Sequence, residues 1–490
     1  MSNLLHHFER LTQSRMKPYA SSVRKTRDGT FFLARDDRSK YLVMIGKRGI
    51  CERFEGQKIG EIEQDDVLLC PMNSKNCETL IEFLPSLKPA TCTMKLSFGF
   101  GDRLGVATAA HAQCVNKEKC FPVFAQQSVR EITRTERTWT DVLHSAIWGV
   151  FESGYDGPFG ADADHVKKIE DLENAARVGY TMFTIDPSDH IKDPAMFDRR
   201  ELARFYEEHP SRRALETRYV GKSFTILGER LTFDEETFAE LFVTYIDAIE
   251  HVEKCYKALR ATVGRSFDLE VSIDETSLPT TPLAHIFFVQ ELMRRSVEFQ
   301  TLAPRFPGEW QKGIDYIGDI ELFAEELDKH VAIVKMFTGY RLSLHSGSDK
   351  FSVYPILAEK TEGTIHVKTA GTSYLEAIRV VAKFAPDLYR EIHKFALSRF
   401  EQDRASYHVT TDLSKIPDVD NLNDDELVHL LDQPDSRQLI HITYGSVLTA
   451  KKDGKSLFRE RIMEVLFEHE TDHYAFLRTH LGKHLKLLGI

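Results

Sequence analysis

The chain of 490 residues is 42% hydrophobic and 28% charged, the composition of an ordinary soluble globular protein with more residues than one small core requires. Its 64 basic and 75 acidic residues leave a formal net charge of −11, which argues against nucleic acid as the main ligand but not against a locally positive pocket for a small anion. Seven cysteines without a CxxC pair argue against a disulfide framework; with neither an apolar leader nor an apolar run of about 20 residues, a cytoplasmic protein without membrane contact is expected.

Residues 1–90 read as a small α+β subdomain. GTFFLAR and KYLVMIG are strand-like around a charged turn, and a helical pattern follows at CETLIEFL. No chemistry-bearing motif stands here, so the unit is expected to cover the rest of the chain or to meet a second copy in a homo-oligomer. From residue 91 the pattern changes to short β runs at 95–101, 121–126, 159–165, 180–186, 267–274, 300–306, 341–345 and 364–368. Helical stretches such as TDVLHSAIWGVF, DIELFAEELDKHVAIVKMF and YLEAIRVVAKFAPDLYREIHKFAL lie between or after them. Eight β/α units in succession predict an α/β protein with a closed (β/α)8 TIM-type barrel over 91–416. The charged helical stretch at about 187–266 is too long for a simple crossover, and it reads as an inserted lobe over the barrel mouth. Residues 417–490, acidic and then helix-periodic, form a helical C-terminal extension expected to serve packing or assembly rather than catalysis.

The chemistry concentrates at strand ends. In RLSLH, alternation puts Arg341, Ser343 and His345 on one face, and in TIHVK it does the same for Thr364, His366 and Lys368. Two successive strands with a polar face that ends in His and Lys resemble a catalytic barrel rim, although a strand-end His also serves as a hydrogen-bonded cap. GADADHVK brings Asp162, Asp164 and His165 to another strand end, where the imidazole suits a metal and the acid suits proton transfer; Asp164 equally fits as the cap of a helix starting near Val166 or Lys167. In IDPSDH, Asp186 and Ser188 suit either a substrate hydroxyl or a Pro-containing turn capped by Asp189. Glu270, Ser272 and Asp274 share a face in EVSIDETSLPTTP. A carboxylate that deep in a strand is costly unless it faces a polar cavity, which makes Glu270 an acid/base candidate. The stretch PRFPGEWQKGIDYIGD offers Arg305 and Lys312 to a substrate carboxylate and Glu309 or Gln311 as an oxygen ligand, or it is a plain surface loop. GFGDRLG lacks the GxGxxG spacing and argues for a tight loop near the pocket instead of a dinucleotide site.

Together FGFGDRLG, GADADHVK, DPSDH, EVSIDETSLPTTP, RFPGEWQKGIDYIGD, SLHSGSDKF and IHVKTAGTSYLEA, spread over roughly 95–415, resemble the tagaturonate/fructuronate epimerases, also described as hexuronate C4-epimerases. The resemblance implies a β/α-barrel, divalent-metal-dependent enzyme that interconverts D-tagaturonate and D-fructuronate in bacterial hexuronate breakdown. By motif position it implies Asp164 and Glu270 as the proton-transferring pair and His165 and His345 as metal ligands. The third ligand is His366 on strand geometry, with Glu309 or Gln311 as the alternative. The metal stays open among Zn, Ni, Co and Mn. Arg305, Lys312 and Lys368 are the candidates for the substrate carboxylate, and Gln127, Ser128 and Ser188 for its hydroxyls. Two other classes compete: a barrel glycoside hydrolase using Asp164 and Glu270, which has no need of imidazole ligands, and a non-enzymatic sugar-acid-binding protein.

Overall fold

The computed structural model describes residues 2–193, 198–276 and 278–490, so 194–197 of the expected insertion and residue 277 of the 270–282 stretch lie outside it. Eight parallel strands form the centre: β1 (Leu96–Gly101), β2 (Phe121–Ser128), β3 (Gly160–Val166), β4 (Met182–Ile185), β5 (Asp268–Ile273), β6 (Thr301–Pro304), β7 (Arg341–Leu344) and β8 (Ile365–Thr369). Each pairs with the next in sequence, and β8 pairs back to β1, so the sheet closes into the (β/α)8 barrel that eight successive units predict. Alternation sorts the side chains. Phe98, Phe183, Leu269, Val271, Leu302, Ile365 and Val367 point outward into the helix layer and are fully buried. Asp162, Asp164, Thr184, Glu270, His366 and Lys368 project into the barrel, where an unpaired charge would be costly.

Residues before the barrel build a six-stranded antiparallel sheet and the helix Ser74–Phe83, whose Phe31, Leu42, Phe54 and Leu80 share one apolar core with the barrel. The insertion differs from expectation. Its 28-residue helix Glu235–Thr262 packs between the helices Ile169–Val178 and Pro282–Arg294 on the barrel wall, burying Phe242, Ile246, Ile249 and Val252. It is thus the crossover helix from β4 to β5. The shorter helices Arg199–Glu208 and Arg212–Tyr219 lean on it from outside, and none of the described residues 198–262 borders the cavity at the mouth. A helix with an apolar stripe that long needs a wall to lie on, and a lid cannot supply one.

The helical pattern after β8 breaks at Pro386 into Thr372–Phe384 and Pro386–Asp403, because proline cannot continue the ladder. Both helices share a second apolar core with the extension, through Ile378, Val381, Leu388 and Phe400 against Leu427, Leu439, Ile440, Val447 and Ile462. The last helix, Glu470–Leu487, returns to the barrel core through Leu477, Leu481 and Leu485. No helix among the described residues is long and apolar enough to cross a membrane.

Candidate active site

The cavity lies at the C-terminal ends of the strands, where barrel loops converge. It encloses about 380 Å³, bordered by Asp164, His165, Lys312, His345 and Lys368 among others, and a second chamber continues it past Asp274, Arg305 and Trp310. At its floor the Lys368 ammonium stands 2.7 Å from Asp162, 2.7 Å from Asp164 and 2.6 Å from Glu270, and it donates to the Thr184 hydroxyl at 2.6 Å. Burial pushes each acid toward its neutral form, but the Lys368 charge outweighs it at Asp164 and, with His345, at Glu270, so both sit below the ordinary carboxylate range. At Asp162 burial prevails, helped by the two neighbouring carboxylates, and its pKa is raised. Lys368 itself is held protonated, well above its usual value, since the three acids outweigh its own burial.

One layer higher, His345 Nε2 stands 2.5 Å from Glu270 Oε1, while its Nδ1 is 3.1 Å from His165 Nε2 and 3.4 Å from Asp274 Oδ1. The other His165 nitrogen faces Asp186 at 3.4 Å. His165, next to last in β3, has φ +47°, a left-handed conformation that costs a non-glycine residue energy. Burial opposes a charge on each ring. Asp164 and Asp186 nevertheless raise His165 to about 10, and Glu270 and Asp274 raise His345 to about 8. The place is built for positive charge.

His165, His345 and Asp274 offer two nitrogens and one carboxylate oxygen within 4.8 Å of one another, a group of residues able to hold a metal ion. The carboxylate behind His165 is the arrangement that fixes a ligating imidazole, and such a mixed set suits zinc, nickel, cobalt or manganese alike. The residues therefore fit a divalent cation.

The structure brings Asp164, His165, Glu270, His345 and Lys368 to one place and separates them from several other candidates. His366 faces the barrel interior but near its opposite end, where its Nδ1 lies 2.7 Å from Ser97 Oγ in a layer with Arg341. Burial holds it neutral, at about 3. Glu309 pairs with His408 at 2.7 Å and the Gln311 side chain accepts from Thr410, so neither joins the imidazoles; Asp274 does. Asp164 caps no helix, because β3 runs through it and the next helix begins only at Ile169. Lys368 is enclosed by three acids that already balance its charge, a poor seat for a further carboxylate. Gln127 pairs in register with outward-facing Ala163 and is turned away from the cavity, which Gln126 borders instead. Ser188 lies in a short turn, its N–H donating to Asp186 at 2.9 Å, and does not border the cavity. Ser128 does border it, while its hydroxyl accepts from Glu131 N–H as a helix cap. Arg305 lines the second chamber, and Lys312 lines both, donating to Ser346 Oγ at 2.9 Å.

Sequence reasoning missed Thr184, Arg130, Glu275 and Tyr407. Arg130 and Glu275 stand 3.5 Å apart across the mouth, and the Tyr407 ring lies 5.4 Å from the Arg130 guanidinium. Tyr407 comes from an irregular stretch after the barrel, with no pattern to flag it. Asp274 could have been found, since it shares the strand face of Glu270.

The chain matches the model of the UxaE tagaturonate epimerase family over residues 19–488. It is 47% identical over 470 residues to the tagaturonate/fructuronate epimerase of Thermotoga maritima, covering 96% of each chain. Crystal structures of the fructuronate-tagaturonate epimerase UxaE from Cohnella laeviribosi, native and with one glycerol, superpose with TM-scores of 0.92 and 0.93 at 41% identity over 100% of both chains. A matched family model over nearly the whole length, on a barrel whose mouth gathers paired acids and imidazoles, places this chain in the UxaE tagaturonate epimerase family.

Proposed function

We propose that this chain interconverts D-tagaturonate and D-fructuronate as a cytoplasmic, metal-dependent enzyme, inverting carbon 4 by reversible cleavage of the bond between carbons 3 and 4. The observation that carries this reading is the pair of ionised acids, Asp164 and Glu270, joined through one ammonium beside the His165–His345 pair. Carbon 4 lies β to the ketone, so its own C–H is not acidified, and simple proton exchange there is slow. The bond to carbon 3 can break instead. One carboxylate takes the carbon-4 hydroxyl proton and the O–H electrons form the aldehyde. The C3–C4 pair passes into the enediolate of carbons 2 and 3. The aldehyde turns about its bond to carbon 5 and carbon 3 adds to its other face; the first acid gives its proton to the Lys368 amine as the ammonium passes one to the other acid, which returns it to the new hydroxyl. When bound by His165, His345 and Asp274, a divalent cation supplies Lewis-acid stabilisation of the charge developing at the ketone oxygen. Lys368 keeps both acids ionised and ready to accept. Lys312, with Arg305 beyond it, holds the carboxylate of the substrate.

The test is to incubate the metal-loaded protein with D-tagaturonate in deuterated water and follow the sugar acids by NMR. D-Fructuronate should appear with ordinary hydrogen retained at carbon 4, and chelator should stop its formation. No product would refute the activity, and deuterium at carbon 4 would refute the bond cleavage.

A further inference from the structure

The loop between β6 and the helix Ile320–Phe337 carries Lys312 into the cavity. Four successive carbonyls of this loop are each taken by a buried side chain from elsewhere. Gln311 O accepts from Lys350 Nζ at 2.7 Å, Lys312 O from Gln438 Nε2 at 3.2 Å, Gly313 O from Arg437 Nε at 2.9 Å, and Ile314 O from Lys350 Nζ again. Arg437 also donates to Asp349 at 3.0 Å. Asp349 belongs to the loop after β7, which holds two left-handed residues, Ser346 at φ +52° and Asp349 at φ +64°. Ser346 is the residue whose hydroxyl receives the Lys312 ammonium. Helix Pro434–Ile442 therefore grips the loops on both sides of the Lys312–Ser346 contact. Buried carbonyls need partners, and irregular backbone that obtains them all from one neighbouring helix and one lysine is fixed by those residues.

We propose that Arg437 is a positioning residue for the substrate site: by holding the carbonyl of Gly313 and the carboxylate of Asp349 together, it sets Lys312 where the sugar-acid carboxylate binds. The inference rests on Lys312 as the anchor of that carboxylate. The C-terminal extension is then part of the catalytic apparatus and more than packing. A carboxylate remote from the breaking bond is held equally in ground and transition states, so weakening its anchor raises KM and leaves kcat unchanged.

Steady-state kinetics on D-tagaturonate for Arg437→Met, Lys312→Met and the double variant test this. Each single substitution should raise KM roughly tenfold with kcat within about twofold, and the double variant should add nothing further, because both act on one contact. An unchanged KM in Arg437→Met, or effects that multiply in the double variant, would overturn the proposal. If Arg437→Met does not fold, Gln438→Leu, which frees the Lys312 carbonyl, carries the same expectations. If the wild-type protein turns over no D-tagaturonate, the proposed reaction fails and hydrogen exchange decides the positioning separately. Arg437→Met should then lose protection over residues 309–316 and not in the barrel strands, and unaltered exchange there would sink it.

Discussion

Among the described residues, two groups of two imidazoles and one carboxylate sit within the same 4.8 Å window: His165, His345 and Asp274 at the barrel mouth, and His480, His484 and Asp349 behind it. In the second group His484 and the Asp349 carboxylate are already engaged. His484 Nε2 accepts the Asp349 N–H at 3.0 Å, its Nδ1–H donates to the His480 carbonyl at 2.9 Å, and the Arg437 guanidinium already occupies the far side of Asp349. Burial keeps His484 neutral, at about 3. In the first group one nitrogen of each ring faces the other at 3.1 Å while the second meets Glu270 or Asp186, and the surrounding acids draw both rings toward positive charge. Donor atoms at matching separations are not enough. A cation needs lone pairs that converge on a shared point.

The largest expected effect is on the first group. His345→Ala should lower turnover by about three orders of magnitude or more and abolish bound metal measured by elemental analysis, with the circular dichroism unchanged. His484→Leu should instead keep its metal while losing roughly 2–4 kcal/mol of unfolding free energy in urea, the cost of orphaning buried partners. Equal metal loss in both variants would erase the distinction between the groups. Next, chelation should lower the melting temperature of the wild type and leave that of His345→Ala unmoved, since only a bound ion adds to native stability. A smaller effect is expected behind the site, where Asp186→Ala should weaken metal affinity about 10–100-fold by releasing His165, as a competitive zinc titration would read.

The smallest concerns a carboxylate in neither group. Asp268 is raised to about 6 because burial outweighs its bond from the Cys92 N–H and the Arg341 charge. A native pKa above the unfolded value costs stability as pH rises from about 4 to about 6, and that cost is complete above it. Asp268→Asn should therefore raise the melting temperature at pH 8, by the equivalent of about 3 kcal/mol at most, and leave it nearly unchanged at pH 4. The opposite order would show that the backbone hydrogen bond, and not burial, governs this acid.

All eight barrel strands were legible because apolar residues facing the helices alternate with polar ones facing the axis, and each run ends in turn chemistry. Asp164, His165, Glu270 and His345 stood out for the same reason, as polar residues where a wall requires apolar ones. Alternation settles the side a residue faces and not its depth. His366 and Lys368 share a face, yet His366, two residues nearer the start of β8, meets Ser97 instead of the imidazoles. Gln126 and Gln127 show the other weakness, since a register shift in β2 decides which of two adjacent amides looks inward. The insertion was misplaced because length and charge resemble a lobe, whereas its long helix has an apolar stripe that only the barrel wall satisfies. Tyr407 and Arg437 were invisible as site residues. Tyr407 reaches the mouth, and Arg437 the loops behind it, through tertiary packing of a second core that no local period encodes.

The left-handed backbone at His165 bears on how the pocket could be redesigned. Asn and Asp adopt that conformation more readily than other side chains carrying a donor. His165→Asp and His165→Asn would thus exchange a nitrogen for an oxygen at this corner without added backbone strain. At that one position the choice between a nitrogen and an oxygen donor for an ion is then open to substitution without a change in the strand path.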